Sequence, residues 1–262
     1  RRTNRRGCDK RFADASPNGI AIPGTSISRP RRPSERDEMT QTHRIPITDA
    51  GTGSDTEPPT VAAVHHEAES DDWLVFCHGL RSDKSGSYEQ RCRRAVEAGY
   101  NAVRFDCRGC GESDGAFVES TLEARLTDLH HVVDYFDPDS YVLFGSSFGG
   151  KVAFHAAAAD DRVTAVATRA PVTTAGMFDE YRTAVERDAE WTFDTGERID
   201  RRFFDALDRH PFDDVVASLS IPVAIFHGGD DAVVDPADSF DAARRLETDV
   251  CLERFAGEGH RF

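Results

Sequence analysis

The residues Tyr141-Val142-Leu143-Phe144-Gly145-Ser146-Ser147-Phe148-Gly149-Gly150-Lys151-Val152-Ala153 decide the reading of this chain. An apolar run of strand type enters G-x-S-x-G, and an alanine-rich helical stretch leaves it. The chain must reverse within a few residues, so the central serine is forced into a strained conformation and its neighbours must be small. Ser147 then stands clear at the end of a strand, in front of a helix N-terminus with free N–H groups and a partial positive charge. Ser146 occupies a variable position of the motif and is the weaker candidate. A phosphate loop would need Ser or Thr after its lysine; here Val152 follows Lys151.

Outward from this turn, strand and helix patterns alternate. Apolar runs at Trp73-Leu74-Val75-Phe76-Cys77, Ala102-Val103-Arg104-Phe105-Asp106 and Pro222-Val223-Ala224-Ile225-Phe226 are strands buried on both faces. Residues 163–168 and Val250-Cys251-Leu252-Glu253-Arg254-Phe255 add two more, and residues 60–67 are expected to pair with 43–48. Helical spacing covers 86–98, 149–159 and 236–246. It also covers 120–136, where Leu122, Leu126, Leu129 and Val133 form one stripe. The class is α/β with a mostly parallel sheet, whose chemistry sits at the carboxyl ends of its strands. Residues 174–216 interrupt the alternation with seven aromatic and twelve acidic residues, and are expected to form a helical lid.

The 262 residues carry a formal charge of −15, from 47 acidic and 32 basic side chains, which argues against nucleic-acid binding. Residues 1–38 differ from the rest: ten basic and five acidic residues give +5, against −20 for 39–262 (−15 minus +5). This segment is expected to be a disordered basic tail ahead of Met39. The chain holds 30 Asp and 29 Arg but 3 Lys. Such a surface suits molar salt, where the screening length is about 3 Å, so a halophilic protein is expected. No apolar run reaches the ~18 residues of a membrane span. No apolar segment follows the N-terminal arginines, so a cytoplasmic location is expected. The six cysteines do not form a secreted disulfide framework.

Four motifs in order resemble the α/β-hydrolase fold, near its serine esterase, lysophospholipase and S33 serine-aminopeptidase branches. They are His78-Gly79-Leu80, the run from Phe105 to Gly115, the turn at Ser147, and His227-Gly228-Gly229-Asp230-Asp231-Ala232-Val233-Val234 with Gly257-Glu258-Gly259-His260. The resemblance covers about residue 43 to the end. It implies a nucleophile, acid and base in the order Ser147, Asp231, His260, with Asp230 and Asp235 as alternatives for the acid. The oxyanion donors would be the backbone N–H groups of Leu80 and Phe148, and His78 and His227 would be structural parts of their turns. Two departures stand out. Cys110 replaces a histidine frequent in relatives, creating Cys107-Arg108-Gly109-Cys110, read as a turn with incidental thiols rather than a metal or redox site. The sequence ends at Phe262, where relatives carry a further helix, so that helix is expected to be missing.

The implied reaction is hydrolysis of a carboxylic ester, or of a thioester or amide, on a small acyl substrate, with no cofactor or metal. The same triad serves acyltransferases and C–C hydrolases, and the same scaffold serves non-catalytic binding proteins. Substrate identity and oligomeric state are not legible.

Overall fold

A computed structural model of the chain describes residues 40–48 and 57–262. The basic segment 1–38 and Met39 lie outside the described residues. An eight-stranded sheet is ordered β1-β2-β4-β3-β5-β6-β9-β10. Its strands are β1 (Thr40–Pro46), β2 (Thr60–His66), β3 (Trp73–Cys77), β4 (Asn101–Phe105), β5 (Tyr141–Ser146), β6 (Val163–Arg169), β9 (Val223–Gly228) and β10 (Val250–Phe255). β1 and β2 pair antiparallel with Thr40 opposite His66, and β2 pairs antiparallel with β4. The remaining six strands are parallel neighbours. Apolar runs without alternation supply the central strands because both of their faces are covered.

Helix α1 (Ser87–Glu97) covers one face, where Tyr88, Cys92 and Ala95 pack with Phe76 and Ala102. The other face carries the main core under α2 (Leu122–Phe136), α3 (Phe148–Ala157) and α7 (Pro236–Arg245). Thr121 caps α2 by accepting the Ala124 N–H at 3.2 Å, and Asp235 caps α7 through the Ala237 N–H at 2.9 Å. The stripe of α2 buries Leu122, Leu129 and Val133, and with them Arg125 and Asp128, two charged residues on a core-facing line.

The interruption between β6 and β9 is not wholly helical. A 3-10 turn (Gly176–Phe178) leads into α4 (Asp179–Asp188), a hairpin of β7 (Glu190–Thr192) and β8 (Arg198–Asp200), then α5 (Arg201–Arg209) and α6 (Phe212–Ser218). The hairpin corrects the all-helical expectation. Its turn uses Gly196 at φ 97, a left-handed conformation that glycine adopts without strain and that permits the reversal. The aromatic residues of the segment point inward: Phe178 and Phe203 place their ring centroids 6.1 and 5.6 Å from that of Phe148. Among the described residues no helix is long and apolar enough to cross a membrane.

Candidate active site

Ser147 sits between the end of β5 and the start of α3 at φ 55, ψ −119. A non-glycine residue there is strained, and the surroundings over-determine it. Its N–H donates to Arg169 O at 2.9 Å, and its carbonyl accepts from the N–H of Gly150 at 2.9 Å and of Val172 at 3.1 Å. The flanking glycines are steric necessities. A Cβ on Gly145 would lie 2.3 Å from the Gly149 carbonyl oxygen, and one on Gly149 would lie 2.2 Å from that of Cys77. Ser146, by contrast, is buried.

Beside this turn runs the loop after β3. A Cβ on Gly79 would stand 3.5 Å from Ser147 Cβ, so the following residue, Leu80, lies next to the serine. Neither the Leu80 nor the Phe148 N–H meets an acceptor among the described residues. Two free N–H groups beside the expected nucleophile match the geometry that could hold a developing oxyanion. Arg81, at φ 54, donates to Asp194 at 2.7 Å and lies 4.4 Å from the Phe193 ring centroid, tying the hairpin to this loop.

The residues expected as acid and base, Asp231 and His260, arrive from the other side. Asp231 follows β9, and its side chain is fully buried. Oδ1 accepts the N–H groups of Val233 at 2.8 Å and Val234 at 3.1 Å. Oδ2 accepts from His260 Nδ1 at 2.8 Å and from His227 Nε2 at 3.1 Å. Burial alone would raise this carboxyl, but the His260 and backbone hydrogen bonds outweigh it and hold the group below its ordinary value. Asp230 and Asp235 are both exposed, and neither bonds to His260.

His260 follows β10 and keeps 18% of its side chain exposed. Its loop curls back across the sheet. Asp230 N–H donates to Glu258 O at 2.9 Å, and Arg169 donates to Phe262 O at 3.1 Å. Arg169 is the register partner of Ser146, so this return brings the His260 segment toward the Ser147 turn. With Nδ1–H given to Asp231, the free Nε2 is the basic nitrogen a serine needs.

Two contributors escaped the sequence reading. His227 braces Asp231 rather than only its own turn: Nε2 also faces Val234 O at 3.1 Å, which makes that nitrogen the donor, and Ser239 Oγ lies 2.7 Å from Nδ1. Arg125 is the other, and its signal was a charge on the apolar stripe of a helix. Cys107 and Cys110 are buried free thiols whose pKa values burial raises, so neither supplies a ready thiolate. Among the described residues no cluster of His, Cys, Asp or Glu could hold a metal ion.

This sheet order, with a strained serine turn after its middle strand, is that of the α/β-hydrolase fold. Residues 68–195 match the family pattern of the hydrolases described as serine aminopeptidase, S33. The mouse (Mus musculus) palmitoyl-protein thioesterase ABHD10, mitochondrial, is 27% identical over 205 residues, covering 69% of this chain and 67% of that protein. The chain thus spans about two thirds of that relative's length. Among solved structures, mouse alpha/beta hydrolase domain-containing protein 10 superposes with a TM-score of 0.70 at 24% identity, covering 84% of this chain and 91% of that one. Est1E from Butyrivibrio proteoclasticus, solved with ferulic acid, gives 0.70 at 22%, covering 77% and 88%. The family match and the mouse relative agree with a hydrolase, and the solved structures share its fold.

Proposed function

We propose that the protein is a serine hydrolase that cleaves a carboxylic ester or thioester through an acyl-enzyme on Ser147. The observation that carries this reading is the 2.8 Å bond from His260 Nδ1 to the buried Asp231 carboxylate, on the strand-end rim that also presents the strained Ser147. In this mechanism Ser147 Oγ attacks the acyl carbonyl and His260 Nε2 takes its proton. The N–H groups of Leu80 and Phe148 hold the oxyanion. His260 then protonates the leaving group, and water attacks the acyl-enzyme with His260 again as base. Asp231 stays ionised throughout and stabilises the imidazolium.

The thioester branch draws support from the mouse relative, which carries the name palmitoyl-protein thioesterase. The groove beside Asp231 has a mixed lining, Met177 and Val233 together with Thr174, Asp235 and Asp238, and so does not by itself select an apolar acyl chain. The acidic, lysine-poor composition makes molar salt the condition to assay first. The test is hydrolysis of p-nitrophenyl esters and acyl thioesters of rising chain length. Turnover that disappears in Ser147→Ala is expected. A folded wild-type protein inert toward both series would overturn the proposal.

A further inference from the structure

Arg125 is fully buried on α2, and no ion pair among the described residues includes it. The neighbouring buried carboxylate, Asp128, is already taken by Arg108 at 2.6 and 2.8 Å. A buried cation without a carboxylate is costly unless its donors find other acceptors. Those of Arg125 do: Nε donates to Ser120 Oγ at 3.0 Å and one terminal nitrogen to Cys110 Sγ at 3.5 Å. The other terminal nitrogen donates to the carbonyl oxygens of His78 at 3.4 Å and Gly79 at 3.3 Å. The guanidinium also lies over the Phe148 ring, 5.3 Å from its centroid.

These contacts fall on both halves of the oxyanion site. Gly79 C=O and Leu80 N–H belong to one peptide unit, and in a trans peptide they point in opposite directions. Gly79 O also accepts from His78 Nδ1 at 2.8 Å; His78 Nε2 is occupied by the Cys107 N–H at 3.0 Å, which leaves the proton on Nδ1. Burial and the nearby Arg125 push His78 down to about 3, so it is neutral there. The cation therefore adds the charge that a neutral imidazole cannot. A positive charge on the carbonyl end of a peptide polarises it and makes the N–H at the other end a stronger donor. The same cation presses on the ring of Phe148, whose own N–H is the second donor.

We infer that Arg125 is a positioning residue of the oxyanion site: from the buried side it fixes and polarises the Gly79–Leu80 peptide and seats Phe148 at the start of α3. The inference rests on the serine-hydrolase reading above and deepens it. Arg125 touches neither substrate nor Ser147.

The test compares wild type with Arg125→Met and Arg125→Lys on one ester substrate and one trifluoromethyl ketone, which adds Ser147 Oγ to form an oxyanion. Since deleting a direct oxyanion donor costs about 100- to 1,000-fold, the methionine variant is expected to lose about 10- to 30-fold in kcat. KM should stay within about twofold, and affinity for the ketone should fall in step with kcat/KM. The lysine variant, which keeps the charge, should recover most of the loss. A merely structural role would leave ketone affinity tracking KM instead. If Arg125→Met does not fold, Arg125→Gln is read by the same criteria. A folded variant with unchanged kcat, or with lowered kcat and unchanged ketone affinity, overturns the inference while wild-type turnover keeps the hydrolase reading intact. A wild type that neither turns over ester nor binds the ketone overturns both.

Discussion

The two flanks of Ser147 are built differently. On the β3 side, His78, Arg125 and Phe148 are at most 1% exposed, and the glycines at 145 and 149 leave no room for a methyl group. On the β10 side, His260 keeps 18% of its side chain in water, Val233 is 53% exposed, and a Cβ on Gly259 would meet nothing within 4 Å. In the proposed mechanism the contrast follows from two jobs. Fixed dipoles stabilise a developing charge best where nothing reorganises and water is excluded. The base must pass a proton to a leaving group and then activate water, so it needs access and a little freedom. Asp231 joins the two regimes: a dry carboxylate that steers a partly wet imidazole.

The comparison can be broken most forcefully at Asp231. Asp231→Asn removes the charge that fixes the His260 tautomer, and kcat should drop by about 1,000- to 10,000-fold; retention of wild-type kcat would place the acid elsewhere. A paired substitution tests the difference in packing. Gly149→Ala drives a methyl into the Cys77 and His78 carbonyls and should cost roughly 3 kcal/mol or more, whereas Gly259→Ala should change stability by less than about 0.5 kcal/mol. Equal shifts in Tm for the two would erase the distinction between the flanks.

Acid should act on the dry flank as well. The His78 pKa is pushed down to about 3, chiefly by burial. The unfolded chain takes up this proton near 6.5 and the folded one only near 3, so stability is whole above pH 6.5 and lost as pH falls through that window. His78 alone contributes a slope of about 1.4 kcal/mol per pH unit. His66 and His155, brought by burial to about 4 and about 3, steepen it. Denaturant midpoints between pH 7 and 5 should decline, and less steeply in His78→Gln. The smallest effect belongs to the outer brace: Ser239→Ala removes the hydroxyl on His227 Nδ1 and should lower kcat only about two- to fivefold, with KM unchanged.

The sheet, its helices and the serine turn were legible because each rests on local chemistry: uninterrupted apolar runs, a helical stripe, and glycines that sterics require. The hairpin at 190–200 was hidden because its strands are three residues long and mostly polar, with Ile199 the one fully buried residue of the two strands. Pairing of Asp231 with His260 could be expected from motif order, but the share of His227 and Ser239 in holding that carboxylate depends on how the loop after β9 closes onto α7. Arg125 shows the same limit. A charge on the buried stripe of α2 is visible in sequence, but its aim at the carbonyls of residues 78 and 79 is a fact of packing between α2 and the loop after β3.

The most direct trial of the account is to treat the folded protein with a fluorophosphonate and map the adduct by mass spectrometry in wild type and His260→Ala. One phosphonyl group per chain on Ser147, formed about 100-fold or more slowly without the imidazole, is the predicted result. An adduct on another residue, none at all, or labelling of Ser147 at an unchanged rate in His260→Ala would contradict it.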